Sequence, residues 1–167
     1  MTWSAQVFQV LKDQDIGIVA TVPDAGLSEL LDLCEADPAT TTVTLSSEEE
    51  GMGIVFGAWL GGKRGAVFMQ SSGSGNCMNA LTLAAGTRTP LVMLVTMRGQ
   101  WGEFNPWQVA MGQATQSVFE TMGVTCYEVT DPAEIAETFS AASALTFNGG
   151  GPTAVLVHQR ALGTKEF

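Results

Sequence analysis

The sequence is short of charge, and this shortage excludes several classes of function. Of its 167 residues only 14% are charged and 46% are hydrophobic, which is the opposite of the balance that keeps a chain disordered. Seven basic residues against 17 acidic ones leave a formal net charge of −10. The chain therefore lacks the clustered Lys and Arg that nucleic acids and anionic membranes select. Because so little of it is charged, we expect another chain to cover part of its surface.

Long apolar runs, a basic leader and paired cysteines are also missing. No run reaches the roughly 18 apolar residues that a membrane-spanning helix needs. The N-terminal stretch MTWSAQVFQVLKDQ has neither the basic nor the apolar region of a signal peptide. Cys34, Cys77 and Cys126 are odd in number and lie in apolar contexts, which is typical of reduced thiols in a core. We therefore expect a cytoplasmic protein.

Apolar runs alternate with helical segments along the whole chain. The runs are nearly continuous, as in strands that are covered on both faces. Strands are predicted at 16–21, 41–45, 66–70, 91–96, 124–129 and 153–158. Helices are predicted at 2–13, 24–36, 47–61, 75–86, 107–122 and 132–147. This order predicts a single domain over residues 1–167, with a three-layer α/β/α fold around a six-stranded parallel sheet.

Four successive predicted strands are followed by loops of unusual composition. The loops are TVPDAG, SSEEEG, QSSGSGN and TMRGQWGEFNPWQ. In a parallel sheet with helices on both faces, ligands bind at the carboxyl ends of the strands, where these loops meet. The sequence therefore predicts a site at this edge of the sheet.

Several familiar motifs fail in detail. GAWLGGK at 57–63 is followed by Arg64 and ends a helix, so it is not a phosphate-binding P-loop. GSGNCM at 73–78 lacks the third glycine of a dinucleotide fingerprint. His158 is the only histidine and no G-x-S-x-G motif is present, which favours a structural role for His158 over hydrolase catalysis. No group of His, Cys and acidic residues has metal-ligand spacing, so no metal site is predicted in this chain alone.

The turn QSSGSGN admits two interpretations. Its free amides and hydroxyls, placed at the start of a helix, can approach a ligand closely or accept an anion. It can equally be a tight turn in which a serine caps the helix. The residues alone leave both interpretations open.

Three adjacent glutamates open one of the most apolar helices in the chain. Helical spacing places Glu48 on one face with Met52, Val55 and Trp59. Any two of the three acids can simply complement the helix dipole. Because the helix is apolar nearly all round, we expect it to be buried, and a carboxylate at its desolvated start needs a proton or a partner. At least one of the three acids is therefore expected inside.

These stretches together resemble the pyrimidine-binding domain of thiamine diphosphate enzymes. Within that group the chain is most similar to the alpha subunits of sulfopyruvate decarboxylases and to the corresponding half of phosphonopyruvate decarboxylases. The resemblance covers most of the chain in the family's order, and its motifs are specific jointly rather than singly. The matching stretches are VPDAGLSELL, EEEGMGIVFGAWLGGK, FMQSSGSGNCMNAL and MRGQWGEFNPWQVAMG.

The resemblance implies a catalytic role for Glu48. In the family this glutamate hydrogen-bonds N1′ of the cofactor's aminopyrimidine and thereby promotes loss of the thiazolium C2 proton, after which a 2-oxo acid is decarboxylated. The family glutamate lies nine residues before a glycine of the same helix, and Gly57 is nine residues after Glu48. The family spacing and the helical face therefore both select Glu48 as the acid that we expect inside. Many relatives have His or Arg before this glutamate, whereas this chain has Ser47.

The resemblance also implies contacts with thiamine diphosphate and with the substrate. Asn76 is expected, in addition, to cap the next helix. The implied cofactor-binding residues are Pro23, Asp24, Ala25, Gln70, Ser71, Ser72, Gly73 and Asn76. The implied substrate contacts are Arg98, Glu103 and Gln108.

The family's diphosphate site, a G-D-G motif followed by an Asn that binds Mg²⁺, is absent from the sequence. The resemblance therefore implies a separate beta subunit that carries this motif, in an α2β2 hetero-oligomer or a multiple of it. The predicted activity is decarboxylation of a 3-substituted pyruvate, in the first place 3-sulfopyruvate, to sulfoacetaldehyde and CO2. Phosphonopyruvate or another small 2-oxo acid is the alternative substrate. A non-catalytic partner subunit and a stand-alone anion-binding module are alternatives of other classes, and neither needs a buried acid.

Overall fold

Six parallel strands form one sheet in the computed structural model, which describes residues 1–149 and 151–163. The strand order is β2-β1-β3-β4-β6-β5, and every neighbouring pair is parallel. The predicted α/β fold is therefore confirmed. The strands are β1 (Ile16–Thr21), β2 (Thr41–Thr44), β3 (Arg64–Gln70), β4 (Leu91–Thr96), β5 (Thr125–Val129) and β6 (Pro152–Val157).

Helices cover both faces of the sheet. None of those within residues 1–149 and 151–163 is long and apolar enough to cross a membrane. Short 3-10 turns lie at Ala25–Leu27, Ser71–Cys77 and Pro132–Glu134. The α-helices are α1 (Trp3–Asp13), α2 (Ser28–Ala36), α3 (Glu48–Leu60), α4 (Met78–Thr87), α5 (Trp107–Thr121), α6 (Ile135–Gly149) and α7 (Gln159–Leu162).

Alternate residues of the strands supply two separate hydrophobic cores. Phe68 and Leu94 point to the core shared with α1, α2 and α6. Met69 and Met93, their neighbours along the chain, point to the core shared with α3, α4 and α5. Because successive strand side chains face opposite ways, a strand between two helical layers buries its side chains on both faces. This explains the mainly apolar runs of β4 and β6, which are buried throughout and whose buried threonines, Thr96 and Thr153, are hydrogen-bonded.

The loops that follow β1 and β3 enter their helices differently from the prediction. Residues Ala25–Leu27 and Ser71–Cys77 form 3-10 turns, so α2 and α4 begin only at Ser28 and Met78. Asn76 lies inside the second turn, and the N-cap position of α4 is Cys77. The prediction that Asn76 caps the next helix is therefore wrong, because its side-chain amide is directed to Glu48 instead.

Helix α3 is less buried than its composition predicts. Met52 and Val55 are buried, but Gly53, Gly57 and Leu60 are exposed, Leu60 to 73%. The expectation that this apolar helix is buried is therefore wrong for one of its sides, where Trp59 and Leu60 are exposed as well as the two glycines. After its first turn, the exposed side of α3 carries no charge.

The cysteines and His158 have the structural roles that the sequence indicates. Cys34 and Cys77 are buried and Cys126 is partly buried, and all three are free thiols. Burial is the main cause that raises the pKa of each thiol to about 12. His158 follows β6 and precedes α7, a short helix that the sequence did not predict, and its Nδ1 accepts a hydrogen bond from the amide of Arg160 (3.1 Å).

The surroundings of two helical glycines predict that substitution by alanine has opposite effects on stability at the two positions. A Cβ at Gly112 in α5 would overlap the carbonyl oxygen of Arg98, whereas a Cβ at Gly53 in α3 would meet open space. We expect Gly112→Ala to lower the free energy of unfolding by about 1–3 kcal/mol, because α5 must move away from the end of β4. Gly53→Ala is expected to raise it by about 0.5–1 kcal/mol, because alanine is the better helix former. Urea denaturation measures both, and equal effects would contradict the close packing of α5.

Candidate active site

The unusual loops meet where the strand order reverses. From β1 the chain passes to β2 on one side and then to β3 on the other, so the carboxyl ends of β1 and β3 border a crevice. Such a switch point is where sheets of this kind bind ligands. The predicted site residues lie on the loops around this crevice and along the neighbouring end of β4.

Glu48 is the buried acid of the glutamate run. It is the first residue of α3 and is 8% exposed, whereas Glu49 and Glu50 are exposed. The carboxylate of Glu50 turns back and accepts a hydrogen bond from the amide of Ser46 (2.9 Å), the residue before the N-cap position Ser47. The burial predicted for Glu48 is thus confirmed, and Glu50 lies at the helix start as expected.

The Glu48 carboxyl group lies against the turn after β3. Its Oε2 accepts a hydrogen bond from Nδ2 of Asn76 (3.0 Å). A Cβ at Gly73 would overlap the Glu48 side chain, so only glycine allows the turn to lie this close. Its other oxygen, Oε1, accepts no hydrogen bond from residues 1–149 and 151–163. One oxygen of Glu48 is therefore held in place while the other is available to a donor.

The turn Ser71–Cys77 is held by contacts with distant elements. The Ser74 hydroxyl donates to the carbonyl of Ser71 (2.7 Å) and shares a hydrogen bond with the hydroxyl of Thr115 in α5 (2.9 Å). The Ser71 hydroxyl accepts from the amide of Arg98 (3.0 Å). No serine of the turn caps α4, so of the two interpretations of QSSGSGN the capping one is wrong.

Asp24 is fixed by donors from the ends of β3 and β4 and from its own loop. Its Oδ1 accepts from Nε2 of Gln70 (2.7 Å), and its Oδ2 accepts from the Thr96 hydroxyl (2.9 Å) and from the amide of Gly26 (3.0 Å). The Ser72 hydroxyl donates to Oε1 of Gln70 (2.7 Å). A hydrogen-bonded chain therefore runs across the ends of β1, β3 and β4. Pro23 and Ala25, which flank Asp24, are both exposed at this edge.

Arg98 and Glu103 form a bidentate ion pair within the loop after β4. Nε and Nη2 of Arg98 donate to the two carboxylate oxygens of Glu103 at 2.8 Å and 2.7 Å. The hydrogen bonds from Arg98 are the main cause that lowers the pKa of Glu103 from 4.5 to about 2. Gln108 is the second residue of α5. Its buried Oε1 has no hydrogen-bond partner among the residues that the structure describes.

A cavity of about 150 Å³ opens beside Asp24, between the ends of β1, β4 and β6. Its walls include Asp24, Ala25, Thr96, Arg98 and Gln159. In the part of the chain that the structure describes, no group of three or more His, Cys, Asp or Glu side chains could hold a metal ion.

Two residues of this edge were missed from the sequence. Thr96 was absorbed into the apolar strand LVMLVT, although a polar residue at the carboxyl end of a buried strand is a usable signal. Gln159 gives no local signal, because its partners Gln100, Trp101 and Glu103 lie more than 50 positions earlier.

The family model that matches the chain describes the N-terminal TPP-binding domain of thiamine pyrophosphate enzymes and covers residues 1–123. The chain is 35% identical over 155 residues to the sulfopyruvate decarboxylase subunit alpha of Methanothermobacter thermautotrophicus, covering 92% of this chain and 94% of that one. It is 32% identical over 158 residues to the subunit of the same name from Methanococcus maripaludis, covering 94% and 95%.

Two longer proteins contain a similar segment. The phosphonopyruvate decarboxylase of Streptomyces viridochromogenes is 36% identical over 122 residues, which make up 72% of this chain and 31% of that enzyme. A solved structure of 2-oxoglutarate:ferredoxin oxidoreductase from Magnetococcus marinus superposes with a TM-score of 0.74 at 14% identity, covering 98% of this chain. The chain spans 30% of that protein, and the likeness shows the fold alone.

The Arg98–Glu103 pair predicts a defined response to acid. A carboxyl group whose pKa is lowered by folding stabilises the fold above its ordinary pKa and loses that contribution as the pH falls through its folded pKa. We expect the melting temperature of the wild type to fall relative to that of Glu103→Gln between pH 4.5 and about pH 2. Glu49→Gln, at an exposed position, is the control for loss of a carboxylate. If the difference in melting temperature between the wild type and Glu103→Gln stays constant over this pH range, the lowered pKa is contradicted.

Proposed function

The chain belongs to the thiamine pyrophosphate enzymes through their N-terminal TPP-binding domain, and from this premise we propose that it is the alpha subunit of a 2-oxo acid decarboxylase. The proposed substrate is a 3-substituted pyruvate, in the first place 3-sulfopyruvate, which yields sulfoacetaldehyde and CO2. The relatives named sulfopyruvate decarboxylase subunit alpha support this choice, because the similarity extends over more than nine-tenths of both chains.

The observation that carries the proposal is the geometry of Glu48. Thiamine diphosphate, when bound, supplies the electron sink that decarboxylation of a 2-oxo acid requires. Glu48 offers what the aminopyrimidine N1′ needs, namely a desolvated carboxyl group whose Oε2 is fixed by Asn76 and whose Oε1 is available. Because Gly73 has no side chain, the Glu48 carboxyl group occupies the space that a Cβ of residue 73 would fill, and it lies close to the backbone of the turn. These residues therefore fit the cofactor.

The other residues of this edge are proposed to orient the cofactor and to exclude water. Burial strengthens the hydrogen bonds of Glu48, because little solvent competes for its oxygens. Asn76 acts through Glu48, whose carboxyl group it holds. Ser71, Ser72 and Gly73, with Gln70 before them, are proposed to lie beside the aminopyrimidine. Pro23, Asp24 and Ala25 are proposed to contact the cofactor or the substrate from the opposite side of the crevice.

The substrate is proposed to bind toward the loop after β4. Arg98 lines the 150 Å³ cavity and uses Nε and Nη2 for Glu103, which leaves Nη1 as the nitrogen that would meet a substrate anion. Glu103 is then proposed to hold the Arg98 guanidinium in position through these two hydrogen bonds. Gln108 remains a proposed contact through its buried Oε1.

We propose that a separate beta subunit completes the active site. It would carry the G-D-G motif and the following Asn that hold Mg²⁺ and the diphosphate, in an α2β2 assembly or a multiple of it. The relatives that match over their full length are named as alpha subunits, and the G-D-G motif is absent from this sequence. Exposed apolar residues on the two helices that follow the site loops, Leu60 in α3 and Met78 and Leu83 in α4, suit such a partner. The free cysteines support a cytoplasmic location for the complex.

Phosphonopyruvate is the second candidate substrate, because a phosphonopyruvate decarboxylase is 36% identical to the chain. That similarity covers 72% of this chain, which is less than the share matched by the sulfopyruvate enzymes. A non-catalytic subunit of the same fold would not need a carboxyl group buried at a helix start, so the catalytic role is favoured.

The proposal is tested by co-expressing the chain with a partner that carries G-D-G and measuring CO2 release from 3-sulfopyruvate, phosphonopyruvate and pyruvate. In this complex we expect Glu48→Gln to lower kcat by about 10²–10⁴-fold, because the amide cannot share a proton as the carboxyl group does. Glu49→Gln is the matched control, and we expect its activity to stay close to that of the wild type. Near-normal turnover of Glu48→Gln would show that another group acts on the cofactor, and a stable wild-type complex without turnover would overturn the proposed function.

The close approach of Gly73 to Glu48 predicts a second effect. Gly73→Ala places a methyl group where the Glu48 carboxyl group now lies, whereas Gly75→Ala meets only the flexible end of Met111, at 3.4 Å and 3.5 Å. We expect Gly73→Ala to weaken thiamine diphosphate binding and to lower kcat by about 100-fold, the order of loss expected when a catalytic group is misplaced. Gly75→Ala should remain near the wild type. Calorimetric titration of the complex with the cofactor measures both, and equal affinities would contradict the geometry.

A further inference from the structure

We propose that Gln159 is a positioning residue for the substrate, because it fixes the loop of residues 98–105, here called the wall loop, against the cavity between β1, β4 and β6. The inference depends on the proposed function for the identity of the substrate. Gln159 lies outside every motif that the sequence carries, and its role follows from its contacts.

The Gln159 side chain is directed into the wall loop. It is the first residue of α7 and is 6% exposed. Its Oε1 accepts from the amides of Gln100 and Trp101, both at 3.1 Å, and its Nε2 donates to Oε2 of Glu103 (3.1 Å). Its own amide donates to Oε1 of Gln100 (3.2 Å). Four hydrogen bonds thus join the end of β6 to the loop that follows β4.

The wall loop is organised around one carboxylate. Besides Arg98 and Gln159, Glu103 accepts from the amides of Gly99 and Asn105, each at 3.0 Å. Gly99 and Gly102 have positive φ, a conformation that glycine adopts without a steric cost. A short loop with two such glycines gains its single conformation from these polar contacts, because few of its side chains are buried.

The same contacts decide where the Arg98 guanidinium lies. Among the described residues that line the cavity, Arg98 is the only cation. Its Nε and Nη2 follow the Glu103 carboxylate, and Glu103 is held in turn by Gln159. Gln159 therefore sets the position of the positive charge without needing to touch the substrate. Two other charged groups are near, Asp24 across the cavity and Arg160, whose guanidinium lies over the Trp101 ring at 5.1 Å.

A fixed cation in a small cavity favours a substrate with a second anionic group. In a 3-substituted pyruvate the substituent carries negative charge in addition to the carboxylate, whereas pyruvate carries the carboxylate alone. If Gln159 no longer holds the wall loop, Arg98 loses its fixed position, and the doubly anionic substrate should lose more than pyruvate. Gln159 would then contribute to the choice between these substrates.

The test compares Gln159→Leu with Gln9→Leu in the complex with the beta subunit. Gln9 also donates through Nε2 to a carboxylate, Asp13 (2.8 Å), but it lies exposed on α1 and controls for loss of such a contact. For Gln159→Leu we expect the KM for 3-sulfopyruvate to rise about tenfold, the cost of unmade buried hydrogen bonds, with kcat and the KM for pyruvate little changed. An unchanged KM for 3-sulfopyruvate, or equal losses for both substrates, would overturn the proposal.

A second variant, Gln159→Glu, gives a readout that a purely structural role would not move. At low pH the protonated carboxyl group can still donate to Glu103, whereas the ionised form places two carboxylates face to face, with Arg98, Asp24, His158 and Arg160 nearby. The charge of Glu103 acts to raise the pKa of the introduced group from its ordinary value of about 4.3, and the amides of Gln100 and Trp101 act to lower it. We therefore expect the KM of this variant to approach that of the wild type below that pKa and to rise above it. A pH profile parallel to those of the wild type and Gln9→Glu would overturn the proposal.

Hydrogen exchange separates this inference from the proposed function. In the complex, we expect the amides of Gly99, Gln100 and Trp101 to exchange faster in Gln159→Leu than in the wild type, with β4 unchanged. A wild-type complex that decarboxylates no 2-oxo acid would overturn the proposed function and the substrate role together, whatever the exchange shows. Normal turnover with unchanged exchange would overturn the positioning role alone.

Discussion

The site depends on the close contact between the first residue of α3 and the turn after β3. Strand order places β1 between β2 and β3, so the chain that leaves β2 must pass over the end of β1 before its helix can meet that turn. The Glu48 carboxyl group is buried at this meeting point because Gly73 has no side chain to exclude it. Asn76 can reach Oε2 only because the turn continues as a 3-10 helix and delays the start of α4.

The sheet could be predicted from the sequence because strands that are covered by helices on both faces are mainly apolar. This holds for the inner strands, and β4 and β6 are buried along their whole length. The edge strands β2 and β5 are more polar and more exposed, and they were predicted from their place in the alternation of strands and helices. Glu48 could be singled out from its neighbours because helical spacing aligns it with Met52 and Val55, which are buried, and because the family's spacing of nine residues to a glycine agrees at Gly57. In both cases the information lies in residues close together along the chain.

The failures arise where the decisive contact comes from far away. Asn76 was expected to cap α4, but the turn around it is fixed by the hydrogen bond between Ser74 and Thr115, 41 positions apart. Thr96 reaches Asp24 across 72 positions, and Gln159 reaches Gln100 across 59. Composition also misled for α3, where Gly53 and Gly57 count as apolar but bury nothing. Local patterns define the elements of this fold, whereas the polar contacts between loops are defined only by the assembled sheet.

The absence of charge from two helical segments has a consequence for the behaviour of the chain in solution. Helix α4 carries no charge and α3 carries none after its first turn, and Leu60, Met78 and Leu83 are exposed on these segments. At neutral pH the net charge of −10 opposes the association of copies through these residues. Near the isoelectric point of about 4.3 that repulsion vanishes, and we expect copies of the chain to adhere first at these uncharged segments.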